Sequence, residues 1–229
     1  MNKTATAVLT GVIPTSPIFT TRAAAKEAVV AADVATRDLA RLAARGVITR
    51  IAPGVWADTR HPDFSPYAVV PHLLRVRQSR VPGYLSLLTA LNLRGMIQQI
   101  PRVFQVVVTT QRRPVKTPVG TYEFHRIGPP LFGGFQPFGQ LGNFDVATPA
   151  KALFDVLYLS VRRARRFSHL PELELGREFR ESELEHWIWK IPYPPVRTAV
   201  ADRWLKVKGD FRPETLAAAG GSRTQGSLS

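Results

Sequence analysis

Three arginines, Arg37, Arg41 and Arg45, recur at every fourth position in one stretch of the sequence. Side chains with this spacing lie on one face of an α-helix. A guanidinium can donate two hydrogen bonds to guanine or pair with a phosphate oxygen. Thr36 lies near the helix start, where recognition helices commonly contact base edges, so we expect Thr36 and Arg37 to read bases. Arg41 and Arg45 are more typical of phosphate contacts, and the alternative for the whole set is a solvated basic face.

The segment that carries these arginines has the element order of a winged helix-turn-helix. A first helical pattern opens the chain, two more follow the run Phe19-Thr-Thr-Arg22, and residues 47–57 predict a small hairpin. In a winged helix-turn-helix the last of the three helices can lie in a DNA major groove. We expect this domain to span residues 1–58, with Thr21, Arg22 and Arg50 as additional DNA contacts.

The net charge supports a polyanionic partner. The 229 residues carry 31 basic and 17 acidic side chains, a formal charge of +14. A surface this positive attracts polyanions, so double-stranded DNA is the first partner to consider and RNA is a second. Residues 1–60 contribute +4 (8 basic, 4 acidic) and residues 61–229 contribute +10 (23 basic, 13 acidic), so the excess extends beyond the predicted DNA-binding domain.

Cysteine and apolar content narrow the class of protein further. The chain has no cysteine, which excludes disulfides, thiolate metal sites and cysteine nucleophiles. We expect a cytoplasmic protein, because no apolar run approaches the length of a membrane span.

The remainder of the chain predicts an α+β domain over residues 59–208, a mixture of helices and a small β-sheet. The stretch 128–142 is expected to be an irregular loop, and residues 209–229 a disordered tail. Helices are predicted at residues 67–78, 86–95, 150–160, 181–191 and 197–207, and strands at 103–110, 120–127 and 144–147.

Catalytic chemistry finds little support in this domain. Carboxylates that converge on Mg²⁺ are the mark of metal-dependent nucleases, and Asp145, Glu123 and Lys151 are the candidates for such a site. They form no compact nuclease motif, and the five histidines show no ligand spacing. Lys151 and Asp155, four residues apart, are better explained as a helix ion pair or a tie to the sheet. We expect no enzyme activity, no metal and no cofactor.

Charged clusters are the other notable feature of residues 59–208. Basic clusters occur at residues 75–80, 112–116 and 162–166, and they could extend a DNA footprint, bind RNA or meet an acidic protein surface. An acidic segment over residues 172–185 could mimic a polyanion or pair with basic faces of the same molecule.

The ordered set of motifs resembles the AbiEi-like antitoxin family of abortive-infection, phage-defence systems. The matching pieces are Phe19-Thr-Thr-Arg22, Arg45-Gly-Val-Ile-Thr-Arg50, Pro53-Gly-Val-Trp-Ala57, Tyr84-Leu-Ser86 and Ala147-Thr-Pro-Ala-Lys-Ala-Leu-Phe-Asp-Val-Leu157. The resemblance implies a transcriptional repressor whose winged helix binds inverted repeats in its own operator. It also implies a C-terminal domain that neutralises a nucleotidyltransferase-like toxin encoded beside it. The alternative is a free-standing regulator whose C-terminal domain senses a ligand or dimerises.

Overall fold

A computed structural model describes residues 3–76, 79–139, 144–162 and 170–209 of the chain. The fold is mixed α+β. The expected disordered tail lies outside the described residues except for Gly209, and so do Arg77, Arg163, Arg165 and Arg166 of the basic clusters.

The N-terminal part consists of helices packed on a small sheet. The elements are α1 (Lys3–Ala7), a π-helical turn (Val8–Val12), α2 (Ile13–Thr15), β1 (Ile18–Thr20), α3 (Thr21–Ala28), α4 (Ala32–Ala44), β2 (Thr49–Ala52) and β3 (Val55–Ala57). The strands form an antiparallel sheet in the order β1-β3-β2. Thr20 caps α3, since its hydroxyl accepts a hydrogen bond from the Ala23 amide at 3.2 Å.

The small sheet is covered on both faces. Because side chains alternate along a strand, Phe19 and Trp56 face the N-terminal helices and belong to a cluster with Leu39 and Leu42. The intervening residues belong to the larger cluster that fills the rest of the molecule; these are Ile18, Ile51, Val55 and Ala57. The sheet therefore joins two hydrophobic cores, and the expected domain boundary at residue 58 runs beside a packed face.

A second sheet organises the larger core. Its strands are β6 (Gly83–Leu85), β7 (Phe104–Val108), β8 (Val115–Thr117), β9 (Gly120–Arg126), β10 (Phe135–Phe138) and β11 (Phe144–Ala147), in the order β10-β11-β6-β7-β9-β8. Two pairs, β7 with β9 and β11 with β6, are parallel, and the others are antiparallel. A separate two-stranded ribbon pairs β4 (Arg75–Val76) with β5 (Ser79–Arg80).

Helices pack around one another beside this sheet. They are α5 (Val70–Leu73), α6 (Leu87–Leu93), α7 (Pro149–Arg162), α8 (Glu181–Trp189) and α9 (Pro194–Gly209), with short 3₁₀ turns at Pro66–Val69 and Pro129–Leu131. Helix α7 is the centre of the layer, since every residue from Pro149 to Ser160 is buried. It contacts α6, α8 and α9.

The structure confirms several predicted elements and corrects others. The strand at 144–147 and the helix at 150–160 are present, the latter within α7. The helix predicted over 67–78 is wrong beyond Leu73, because a strand pair follows it. The expected irregular loop at 128–142 contains a 3₁₀ turn and the edge strand β10. No helix in the described part of the chain is long and apolar enough to cross a membrane.

Candidate nucleic-acid interface

Helix α4 presents a narrow basic face to solvent. Its inner side is buried through Ala35, Asp38, Leu39 and Leu42. Its outer side is exposed and, apart from Asp33, carries only small, neutral or basic side chains; these are Thr36, Arg37, Ala40, Arg41 and Ala44, followed by Arg45. The small residues between the arginines leave room for a close approach of the helix backbone to a ligand.

Two of the arginines form ion pairs on their own helix. Arg37 Nη2 lies 3.2 Å from Asp33 Oδ2, and Arg41 Nη1 lies 3.4 Å from Asp38 Oδ1. Their side chains remain 67% and 71% exposed. The Arg37–Asp33 pair is exposed on both sides, and such pairs contribute only about 0–1 kcal/mol, so a phosphate can compete for the Arg37 guanidinium. The Arg41 guanidinium is exposed but pairs with a buried carboxylate. Arg45 and Arg22 are exposed and have no carboxylate partner among the described residues.

Asp38 fixes the helix that carries these arginines. Its buried carboxylate accepts a hydrogen bond from Thr4 Oγ1 at 2.8 Å, and so joins α4 to α1. The same carboxylate holds Arg41 through its second oxygen. Sequence reasoning missed this residue; an aspartate among apolar positions on the inner face of an amphipathic pattern was the available signal.

Thr21 and Thr36 both use their hydroxyls within the protein. The Trp56 indole Nε1 donates to Thr21 Oγ1 at 2.8 Å, which fixes the start of α3 against the hairpin. Thr36 Oγ1 donates to the Ala32 carbonyl at 2.7 Å. The Thr21 hydroxyl can still donate its own proton and accept once more, and the Thr36 hydroxyl oxygen can still accept.

The hairpin places one cation beside the basic helix. Trp56 is 2% exposed and fills the core beneath the hairpin. Arg50 lies opposite Trp56 in the register of β2 and β3, and its guanidinium is 5.6 Å from the indole ring centroid. A cation–π contact of this kind leaves the guanidinium N–H groups free to reach a phosphate.

A second polar cluster lies in the core of the larger sheet. Lys151 Nζ and the Asp155 carboxylate form an ion pair along α7, and both side chains are fully buried. Asp155 also accepts hydrogen bonds from Ser86 Oγ at 2.7 Å and Tyr84 Oη at 3.2 Å. Since Tyr84 belongs to β6, these bonds bear out the expected tie between helix and sheet.

Aromatic rings enclose the lysine of this cluster. Lys151 Nζ lies 4.7 Å from the Trp187 ring centroid, 4.8 Å from that of Phe154 and 5.7 Å from that of Tyr84. Burial lowers the pKa of Lys151 and raises the pKa of Asp155, while each partner opposes the shift of the other. Complete burial leaves no path for a substrate, so the arrangement acts as a structural tie.

The candidate nuclease residues do not come together. Asp145 lies on β11 and Glu123 on β9, three strands apart in the sheet order, which is a separation of about 14 Å. Asp145 Oδ2 lies 3.7 Å from Arg80 Nη2, and Lys151 is paired with Asp155. Within the described ranges, no group of three or more histidine, aspartate or glutamate side chains could hold a metal ion.

The acidic segment pairs in part with basic side chains of the same molecule. Glu178 Oε2 lies 3.7 Å from Arg94 Nη1, and Glu181 Oε1 lies 2.5 Å from Lys208 Nζ.

In the basic cluster at residues 112–116, Arg112 has a structural role. It donates to the Leu73 carbonyl at 2.8 Å and covers the Phe124 ring.

Comparisons with known proteins give a likeness of fold. No family model matches the chain, and no curated protein sequence matches it. A crystal structure described as RV2827C protein from Mycobacterium tuberculosis is similar, with a TM-score of 0.59 and 15% sequence identity. The similarity covers 98% of this chain and 84% of that one. At this identity the similarity establishes a shared fold alone.

Proposed function

We propose that this protein is a sequence-specific DNA-binding repressor that also acts as an antitoxin. The observation that carries the DNA-binding part is the exposed face of α4, where Arg37, Arg41 and Arg45 project beside small side chains. Such a face fits a duplex major groove, because guanidinium groups can reach base edges and phosphates while the helix backbone comes close.

The arrangement around α4 supports a winged helix-turn-helix. Helices α3 and α4 are joined by a short turn, and the hairpin β2–β3 follows directly, as the wing does in such domains. Arg22 on α3 and Arg50 on the hairpin flank the recognition helix in sequence and add cationic contacts. The tip of the hairpin, Ala52-Pro53-Gly54, carries no charge of its own, so its grip on a minor groove is weak.

The antitoxin part rests on the resemblance of the sequence motifs to the AbiEi-like family. On this proposal the protein represses its own operon through an inverted-repeat operator. Residues 80–208 neutralise a nucleotidyltransferase-like toxin, and no catalytic step is assigned to the chain.

The DNA-binding part is tested by an electrophoretic shift with the DNA upstream of its own gene, repeated across salt concentrations. Replacement of Arg37, Arg41 and Arg45 by alanine should abolish the specific shift and flatten the salt dependence, since each lost phosphate contact lowers the slope by about 0.9. The matched control replaces three exposed arginines outside both α4 and the basic clusters, Arg102, Arg126 and Arg177, with the same change in net charge.

If both triple variants lose equal affinity, binding is a general charge effect and the assignment to α4 is wrong.

The antitoxin part is tested separately, by co-expression with a nucleotidyltransferase encoded beside the gene. Rescue of growth is the expected result. Absence of such a neighbour, or absence of rescue, would remove the antitoxin part and leave the repressor.

A further inference from the structure

We infer that a cavity at the end of α7 is a binding site for a small amphipathic carboxylate, a ligand with an apolar body and one anionic end. The cavity has a volume of about 460 Å³. Its lining residues are Gly128, Pro130, Leu131, Tyr158, Arg162, Ile191, Pro192, Tyr193 and Val196. This inference is independent of the proposed DNA binding and would stand without it.

Three elements build the walls, and all contribute apolar surface. The 3₁₀ turn Pro129–Leu131 supplies one wall, α7 supplies Tyr158, and the link from α8 into α9 supplies Ile191 and Val196. Leu131 and Ile191 belong to the buried core, so the floor of the cavity is fixed by packing. Burial of an apolar ligand body against such walls is favourable, because it removes apolar surface from water.

Arg162 gives the cavity its charge preference. It is the one charged side chain among the nine lining residues, and it stands exposed at the end of α7. Its Nη1 donates to the Tyr158 hydroxyl at 2.7 Å, which holds the guanidinium beside the cavity. No carboxylate among the described residues pairs with it. Its remaining N–H groups can therefore take a ligand carboxylate in a charge-assisted hydrogen bond.

The dimensions suit a small molecule. Sites for small ligands usually measure about 300–1,000 Å³, are lined by apolar and aromatic side chains and use a few polar groups to fix orientation. Tyr193, 63% exposed on the rim, adds an aromatic surface and a hydroxyl where the ligand would enter. A ligand with its anionic end at Arg162 and its apolar body between Leu131 and Val196 matches both the charged and the apolar part of the lining.

The test is calorimetric titration of the full chain with octanoate, octanol and octylammonium, three probes that share an apolar body and differ in charge. We expect saturable binding of one octanoate per chain. Octanol should bind about tenfold more weakly, because it cannot form the charge-assisted hydrogen bond, and octylammonium should bind more weakly still. Equal affinities for octanoate and octanol, or no saturable binding of octanoate, would overturn the inference.

Variants locate the site. Arg162→Gln should reduce octanoate affinity to that of octanol and leave octanol binding unchanged, whereas the control Arg177→Gln, an exposed arginine away from the lining, should change neither. Val196→Trp should fill the cavity and prevent binding of both probes, with circular dichroism to verify the fold. Unchanged octanoate binding in either Arg162→Gln or a folded Val196→Trp would place the ligand elsewhere and refute the inference.

Discussion

At the scale of single residues, the arginines of α4 are equivalent in the sequence pattern but differ in their surroundings. Arg37 is held near the start of the helix by Asp33, whereas Arg45 lies at its end with no carboxylate partner among the described residues. Recognition helices contact base edges mainly through their first residues. On the proposed DNA binding, we expect Arg37 to read sequence and Arg45 to bind the backbone.

Substitution of each arginine tests this division. Arg37→Ala should cost about 1–3 kcal/mol of binding free energy at a specific operator and relax base preference, while Arg45→Ala should weaken binding to all sequences alike. Affinities of each variant for operator and random duplexes test the two expectations. The same loss on both duplexes for both variants would contradict the assigned roles.

Val29 has a strained backbone conformation that its surroundings do not explain. It follows α3 in the left-handed region, with φ of 53°, and it is 89% exposed. A β-branched residue in this conformation is strained, and the position is one where glycine is preferred.

We expect Val29→Gly to raise the free energy of unfolding by about 0.5–1 kcal/mol, the relief of strain less the entropy that glycine gains in the unfolded chain. Denaturant unfolding measures the change. The comparison variant Val207→Gly, inside helix α9, should instead lower stability, because glycine disfavours the helix and the valine side chain packs against the core. A loss of stability in Val29→Gly would show that the exposed valine side chain supports the fold.

At the scale of elements, the sequence predicted strongly periodic segments better than their ends or the short strands between them. Helix α7 and strand β9 agree with their apolar patterns. Strands β6, β8 and β10 were missed, because segments of three or four residues show no period and form only when neighbouring strands pair with them.

The start of α6 shows how tertiary contacts replace a local rule. Ser86 occupies the N-cap position, where serine commonly accepts a hydrogen bond from a backbone amide of the first turn, but it makes no such bond, and its hydroxyl donates to Asp155. The Gln105 side chain accepts from the Leu88 amide at 2.9 Å in its place. The sequence spacing shows a serine before a helix and cannot show whether Ser86 Oγ or the distant Gln105 Oε1 accepts from the Leu88 amide.

The tie between α7 and the sheet predicts opposite pH dependence in two single variants. In Lys151→Met, burial keeps Asp155 protonated in the folded state, since its pKa is raised, while the unfolded chain releases that proton above about pH 4. The free energy of unfolding should therefore fall as pH rises. In Asp155→Asn, burial keeps Lys151 neutral, since its pKa is lowered, so stability should fall as pH drops below about 10.

Each variant should lose about 3–5 kcal/mol in the pH range where its remaining partner would be charged in water, because folding must then neutralise that partner or bury its charge unpaired. Denaturant unfolding at pH values between about 4 and 10 measures how the free energy of unfolding of each variant depends on pH. The double variant Lys151→Met/Asp155→Asn should show neither pH dependence. Parallel slopes in the two single variants would mean that water reaches the pair.

At the scale of the whole molecule, the small N-terminal sheet links the parts that the sequence suggested were separable. Ile18, Ile51 and Val55 share a hydrophobic cluster with residues beyond position 68. Removal of residues 1–60 would expose that surface, so a truncated chain is a poor test of separate functions.

Point substitutions separate the functions without opening either core. The triple replacement of Arg37, Arg41 and Arg45 by alanine should abolish repression and leave neutralisation intact, since all three side chains are exposed. A reporter gene fused to the upstream DNA measures repression, and growth of cells that co-express the toxin measures neutralisation. Loss of both in a variant with unchanged thermal unfolding would show that toxin and DNA use the same face.

The shared sheet also predicts how the molecule unfolds. We expect a single transition in which circular dichroism and tryptophan fluorescence coincide, because Trp56 lies on the N-terminal side of the sheet while Trp187 and Trp204 lie in the larger core. An early fluorescence change that precedes the loss of helix signal would indicate two independent units.

The sequence by itself determined the cationic character of the chain, the spacing that puts three arginines on one helix face, and the long periodic elements. These follow from residue type and from the geometry of a single helix or strand, so they need no partner. The tertiary structure decided that Thr4 ties Asp38 to α1, where Asp145 and Glu123 lie relative to each other, and that both sides of the small sheet are buried. Such facts depend on contacts between residues distant in sequence, and local periodicity carries no information about them.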